Sequence, residues 1–167
     1  MQTMNTELEI VELSNHDGEI ELFLDQLAAK SPSILAYHYP FYRDMLVALG
    51  IGKPCYLGAR ILGRLAGMLP AFYKASDVGV VYSSMPFFGP NAGVICPQDE
   101  MAAPIHQALI QALVQRAENA GALTCSIYTP FLFDRYELYD AALADSVQAP
   151  KFTQYCRLDG VDLEHGN

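Results

Sequence analysis

Between Tyr56 and Gly93 the chain reads strand, glycine turn, strand, short turn, strand, and then the loop Ser-Ser-Met-Pro-Phe-Phe-Gly-Pro-Asn-Ala-Gly. No other stretch restricts the fold as much. Cys55 to Ile61 and Arg64 to Tyr73 flank Leu62-Gly63 as a hairpin, and Val78 to Ser84 follows as a third strand. Pro70 has no N–H to give to a ladder, so it marks an edge, a bulge or the point where pairing stops. A meander that empties through such a loop into a long helix is a way to build a ligand cleft at strand ends.

The flanking segments supply helices. Leu8 to Leu13 alternates as a short strand, and Ser14 or Asn15 opens a helix over Asp17 to Lys30, whose acids fall early, where the helix dipole favours them. Ser31-Pro32-Ser33 ends it. A second helix over Pro40 to Leu49 carries its proline in the first turn, where the missing N–H is harmless, and Gly50 just past its end. Glu100 to Ala120 places Met101, Ile105, Ala108, Leu109, Ala112, Leu113 and Ala117 on one stripe; Pro104 limits how early that helix begins and Gly121 suits its C-terminal cap. Leu123 to Tyr128 reads as a strand, Phe133 to Leu143 as a short helix and Phe152 to Leu158 as a final strand.

At 167 residues the chain fits one domain, residues 1–167, with no internal repeat or linker. A chain of this length buries roughly 70% of its unfolded surface, enough for a core without metal or disulfides. Cys55, Cys96, Cys125 and Cys156 lie 41, 29 and 31 residues apart with no Cys-x-x-Cys or Cys/His cluster, which predicts buried reduced thiols and no metal. The first residues lack the basic and apolar regions of a signal peptide, and no apolar run reaches the roughly 18 residues of a membrane span, which predicts a cytoplasmic protein. The net charge of −9 argues against general nucleic-acid binding. It is unevenly spread: residues 1–29 carry −7, 30–76 carry +5 and 77–167 carry −7. Lys53, Arg60, Arg64 and Lys74 either focus a field that favours an anionic ligand or simply face solvent.

The order strand, helix, helix, three strands, helix, strand, helix, strand is similar to that of the GNAT acyltransferase fold. This implies a three-layer α/β (α+β) domain, with a mixed, mostly antiparallel sheet covered by helices on both faces. Four stretches resemble the Fem-type (FemAB) peptidoglycan aminoacyltransferases and their exopolysaccharide-associated relatives: Tyr-His-Tyr-Pro-Phe-Tyr at 37–42, Leu-Gly-Arg-Leu-Ala-Gly-Met-Leu-Pro at 62–70, Val-Tyr-Ser-Ser-Met-Pro-Phe-Phe-Gly at 81–89 and Phe-Thr-Gln-Tyr-Cys-Arg-Leu at 152–158. That family has two tandem GNAT-like halves, and the resemblance, over residues 30–160, is to the first. It implies an acyl or aminoacyl transferase half acting on an amine of a cell-wall or exopolysaccharide precursor, with acyl-CoA or aminoacyl-tRNA as donor. It also implies a second GNAT-like half or a homodimer as partner, since the family's substrate groove is formed with the second half.

Candidate chemistry clusters near the strand ends. In such a sheet the cleft lies after Ser84 and Tyr128, where an amine would attack an activated acyl group. His38 is the general-base candidate, because an imidazole takes a proton near neutral pH. The GNAT pyrophosphate loop, Gln or Arg, two residues, Gly, one residue, then Gly or Ala, does not occur here. Gly89, Asn91 and Gly93 are the nearest counterpart, and Pro90 removes a donor from it. Ser84 and Asn91 either hold an anion or carbonyl oxygen or cap a turn. Tyr37, Tyr39 and Tyr42, with Arg43 beside them, either stack on a sugar, peptide or adenine ring or pack into the core. His106 reads as a structural or surface residue, and Asp134 and Arg135 as a dipole-complementing acid and a surface base at the start of the short helix. No hydrolase elbow, Walker loop or zinc motif appears. Two readings follow: a transferase half, or a GNAT-like binding or assembly domain that has lost its donor site. A tyrosine-lined open cleft would favour the first, and a cleft plugged by Phe87 and Phe88 the second.

Overall fold

A computed structural model of the chain describes residues 7–13, 16–31, 34–84, 92–130, 133–144 and 146–149. The elements are β1 (Leu8–Glu12), α1 (Asp17–Ala28), α2 (Pro40–Ala48), β2 (Lys53–Pro54), β3 (Leu57–Ile61), β4 (Arg64–Leu69), β5 (Phe72–Ser76), β6 (Gly79–Ser83), α3 (Ala102–Asn119), β7 (Thr124–Ser126) and α4 (Glu137–Ala142). A 3-10 turn over Ala36–His38 precedes α2.

The ladders run β1-β3-β4 and β2-β5-β6-β7. They are two ends of one bent sheet. Lys53 faces Tyr73 and Leu57 faces Leu69 on the same register, and between them the Cys55 N–H donates to the Ala71 carbonyl at 2.8 Å. β2 with β3, and β4 with β5, are therefore two continuous ribbons that bend beside Pro70. That is where a residue without an N–H interrupts a ladder at least cost. The expected hairpin is present, closed by Leu62 at φ 52° and Gly63 at φ 75°, the two left-handed residues of a type I′ turn. β6 pairs antiparallel with β5 and parallel with β7, the crossover being α3.

Successive ribbon residues point to opposite faces. Leu57, Ala59 and Leu69 lie in a core with Ile105, Leu109 and Leu113 of α3. Tyr56, Met68 and Phe72 lie in a second core with Ile20 and Leu24 of α1 and Leu46 of α2. Helices thus cover both faces, as the element order predicts. Gly67 permits the approach of α3: a Cβ there would stand 2.5 Å from Ile105 Cγ2.

Beyond β6 the structure departs from the expectation. Phe72 faces Ser83, and four residues back along the ribbon Met68 faces Ile95, twelve residues on from Ser83. The partner strand of the ribbon is thus broken by an excursion of eight residues, after which Ile95 resumes pairing, with both its N–H and its carbonyl bonded to Met68 at 2.8 Å. Most of that excursion, including Phe87, Phe88, Gly89 and Asn91, lies outside the described residues, as does the expected strand Phe152 to Leu158. Three boundaries also move. α3 begins at Ala102, after a turn in which Asp99 accepts the Met101 N–H, β7 is only three residues long, and α4 begins at Glu137, so Asp134 and Arg135 precede that helix rather than start it.

Candidate functional site

The parting of β6 and β7 is where the chemistry was expected, and here the structure places Ser84, Tyr128 and Gly93 together. Ser84 is fully buried; its N–H donates to the Ser126 carbonyl at 2.9 Å and its Oγ accepts the Tyr128 N–H at 2.8 Å. The hydroxyl thus ties the two strand ends just past their last ladder pair. Gly93 lies against the same place. A Cβ at Gly93 would overlap the Tyr128 carbonyl, the Tyr139 hydroxyl and the Pro130 ring.

The returning segment Ala92 to Cys96 therefore enters the wedge and fills it beside Tyr128. Ala92, Val94, Ile95 and Cys96 are all buried, and they join both cores. Tyr139 fastens the segment by accepting the Val94 N–H at 2.8 Å, and burial holds its hydroxyl pKa well above the ordinary phenol range. Tyr139 was not legible as a site residue, because its partner is 45 positions away.

The N-terminus of α3 is the second place where a GNAT ligand phosphate would be held. Here two of its N–H groups are already bonded to Asp99. The Asp99 carboxylate accepts the Met101 N–H at 2.9 Å, the Asp99 carbonyl is bonded to the Ala102 N–H at 3.1 Å, and Pro104 in the first turn has no N–H. Asp99 and the adjacent Glu100 also put negative charge where an anion would dock. The acid before the helix was a readable capping signal.

The aromatic cluster before α2 is built into the fold. Tyr42 is buried edge-on to Tyr37 at 5.1 Å, and Tyr39 stacks on the exposed Phe41 at 6.4 Å. The Tyr39 hydroxyl donates to Asp25 at 2.7 Å, which raises its pKa to about 12. Arg43 is buried; it meets both oxygens of Asp17 at 2.7 and 3.0 Å, meets Asp44 at 2.7 and 2.9 Å, and lies 5.9 Å from the centre of the Tyr56 ring. Its fork clamps α1 to α2. His38 is fully buried, with Nδ1 accepting the Leu35 N–H at 3.0 Å, so that lone pair serves the 3-10 turn.

Of the basic residues, Arg60 is partly buried against Glu19, Lys74 reaches the Gly50 carbonyl at 3.3 Å, and Lys53 and Arg64 are exposed. His106 is fully buried. Its Nδ1–H donates to the Ala102 carbonyl at 2.8 Å, with the Cys96 sulfur 3.6 Å from the same nitrogen, and its ring stacks on Phe133 at 5.5 Å. Among the described residues Nε2 has no hydrogen-bond partner, and burial pushes the imidazole pKa down. Burial pushes the Cys96 thiol up to about 12, so it is not a thiolate at neutral pH.

The same segment, with Pro130 and Phe133, lines a cavity of about 420 Å³, within the range of small-molecule sites. Leu27, Ile34, Val94, Pro97 and Phe133 supply its apolar lining, with Lys30 and Asp134 among its polar lining. Among the described residues no three His, Cys, Asp or Glu side chains are grouped to hold a metal, and no helix is long and apolar enough to cross a membrane.

The sequence matches no family model and no curated protein. Solved structures do match. A ribosomal-protein-alanine N-acetyltransferase from Brucella melitensis biovar Abortus 2308 is similar at 19% identity and TM-score 0.57, over 90% of this chain and 98% of that one. Glucosamine-6-phosphate N-acetyltransferase from Arabidopsis thaliana is similar at 12% identity and TM-score 0.54, over 89% and 98%. Aminoglycoside N-acetyltransferase AAC(6')-Iy, solved in complex with CoA, is similar at 13% identity and TM-score 0.53, over 94% and 99%. The chain has the mixed α/β fold of the GNAT N-acetyltransferases.

Proposed function

We propose that this chain is a GNAT-like half of a Fem-type N-acyl or aminoacyl transferase, whose donor site is completed only with a second half, supplied in trans or by another copy. The observation that carries this reading is the filled wedge. Gly93 of the buried segment Ala92 to Cys96 packs against Tyr128 at the strand ends where a single-domain enzyme would admit its donor, and Asp99 accepts an N–H just before the helix start that would hold pyrophosphate. Neither feature suits a domain that holds acyl-CoA alone. Both suit a half whose groove is shared, and the sequence resemblance at 37–42, 62–70 and 81–89 supports the same lineage. In this reading Ser84 and Tyr128 set the strand ends around which the shared groove closes. His38 and Arg43 hold α2 in place, and an amine of a cell-wall or exopolysaccharide precursor is the acceptor.

The test is a thermal melt of the chain against acetyl-CoA, longer acyl-CoAs and free CoA. A ligand that binds only the folded state raises the melting temperature by mass action, about 2.7 kcal/mol of stabilisation at a hundred times Kd. The expected result is no shift at millimolar ligand. A saturable rise would overturn the shared-site reading and leave a self-sufficient acetyltransferase. The binding-domain alternative is favoured instead if no acyl transfer is regained when a second GNAT-like half is supplied.

A further inference from the structure

α2 is apolar almost all round. Of its nine residues only Arg43 and Asp44 are charged, and they bond to one another. A helix of that kind is ordinarily enclosed on every side. Here Tyr42, Arg43 and Leu46 face inward, while the outer face presents Phe41, Met45 and Leu49 at 61, 43 and 62% exposure, with Ala48 exposed beside them. Their spacing of four residues makes one continuous row along the helix. None of the four lines the cavity at the parted strand ends.

The two ends of this row carry opposite charge. At the N-terminus of α2 the Asp25 carboxylate accepts the Tyr39 hydroxyl at 2.7 Å, and the Tyr39 ring stacks on Phe41. At its C-terminus Lys74 reaches over from β5 to the Gly50 carbonyl at 3.3 Å. Both charged side chains are exposed, and among the described residues neither forms an ion pair. A row with an anion at one end and a cation at the other is complementary to itself when reversed. Two copies of α2 laid antiparallel across a twofold axis set Met45 against Met45, Phe41 of each copy against Leu49 of the other, and Lys74 of each toward Asp25 of the other. The two helix dipoles also lie head to tail, and the small Ala48 lets the helices approach.

We propose that the outer face of α2 docks on the same face of a second copy of this chain, as an antiparallel twofold pair. Phe41 is its anchor, since an aromatic ring already braced by Tyr39 gives up little freedom on docking. The pairing stands whether or not the chain transfers an acyl group.

The test is sedimentation equilibrium of the whole chain from about 10 µM to about 1 mM, because a contact built on one short helix falls at the small, weak end of the interface range. The mass should pass from that of one chain to that of two as concentration rises. Phe41→Asp and Met45→Lys should each weaken the dimer more than about tenfold. Both positions are exposed, so the fold should be kept in each variant, which circular dichroism checks. Asp25→Lys alone, or Lys74→Asp alone, breaks both symmetric pairs and should weaken the dimer roughly 2- to 30-fold, and the two together should restore it. A monomer at every concentration would overturn the proposal, as would a dimer indifferent to Phe41→Asp and Met45→Lys. A dimer that the double reversal fails to restore would overturn the antiparallel arrangement.

Discussion

Substituting Gly93 by alanine probes the filled wedge at its tightest point. The new Cβ would run into the Tyr128 carbonyl, the Tyr139 hydroxyl and the Pro130 ring. Two of these cannot simply rotate away. The Tyr128 carbonyl is backbone, in a residue whose N–H is tied to Ser84, and the proline ring is fixed to its own chain. Overpacking of this kind costs about 1–3 kcal/mol. If the Tyr139 hydroxyl is displaced instead, the buried Val94 N–H loses its acceptor, at a further cost of about 1–3 kcal/mol. We expect Gly93→Ala to lose about 2–6 kcal/mol in equilibrium urea unfolding followed by circular dichroism. Gly18→Ala is the control: it sits in α1 with nothing within 4 Å of its would-be Cβ, and should gain about 0.5 kcal/mol from helix propensity alone. A Gly93→Ala loss below about 1 kcal/mol would refute the reasoning, because the segment would then not be held against Tyr128.

Two further outcomes follow from the electrostatics. The folded-state pKa of His106 is depressed by burial, so the unfolded chain binds more protons as pH falls through the ordinary histidine range. Wild-type stability should therefore decline from about pH 6.5 downward until the folded-state pKa is passed, and His106→Gln should show a smaller decline in urea titrations at successive pH values. Asp17 is the opposite case, its pKa lowered first by its hydrogen bond to Arg43, so its contribution is present above the ordinary carboxylate pKa and is lost as pH falls through the depressed value. Asp17→Asn should cost about 1–2 kcal/mol near neutral pH, between an exposed and a buried pair, since Asp17 is half exposed, Arg43 is buried and Asp44 remains as a partner.

What was legible in the sequence was what local chemistry decides. The Leu62-Gly63 turn and the left-handed glycines Gly50 and Gly121 just past α2 and α3 follow from short-range rules. So did the element order as far as α4, and through it the GNAT fold. Pro70 was readable as an interruption, but whether the ribbon ended or bent there depended on the Cys55 to Ala71 bond, a tertiary matter. The excursion after Ser84 was not legible as one, because only the pairing of Ile95 with Met68 reveals that the strand resumes. Arg43 and His38 looked available for ligands for a related reason: the Asp17 that Arg43 clamps is 26 residues away, and the Leu35 N–H that His38 accepts is exposed as a need only once the turn forms.

Native-state hydrogen exchange at Val94 and Ile95 tests the filled wedge most directly. Their amides are bonded to Tyr139 and Met68 inside the core. They should exchange only through large-scale unfolding, with protection close to that of the α3 core amides at Leu109 and Leu113, and adding millimolar acetyl-CoA should leave them unchanged. Exchange at loop-like rates, or protection that changes when CoA is added, would mean that the segment leaves the wedge and that the donor site is open in the single chain.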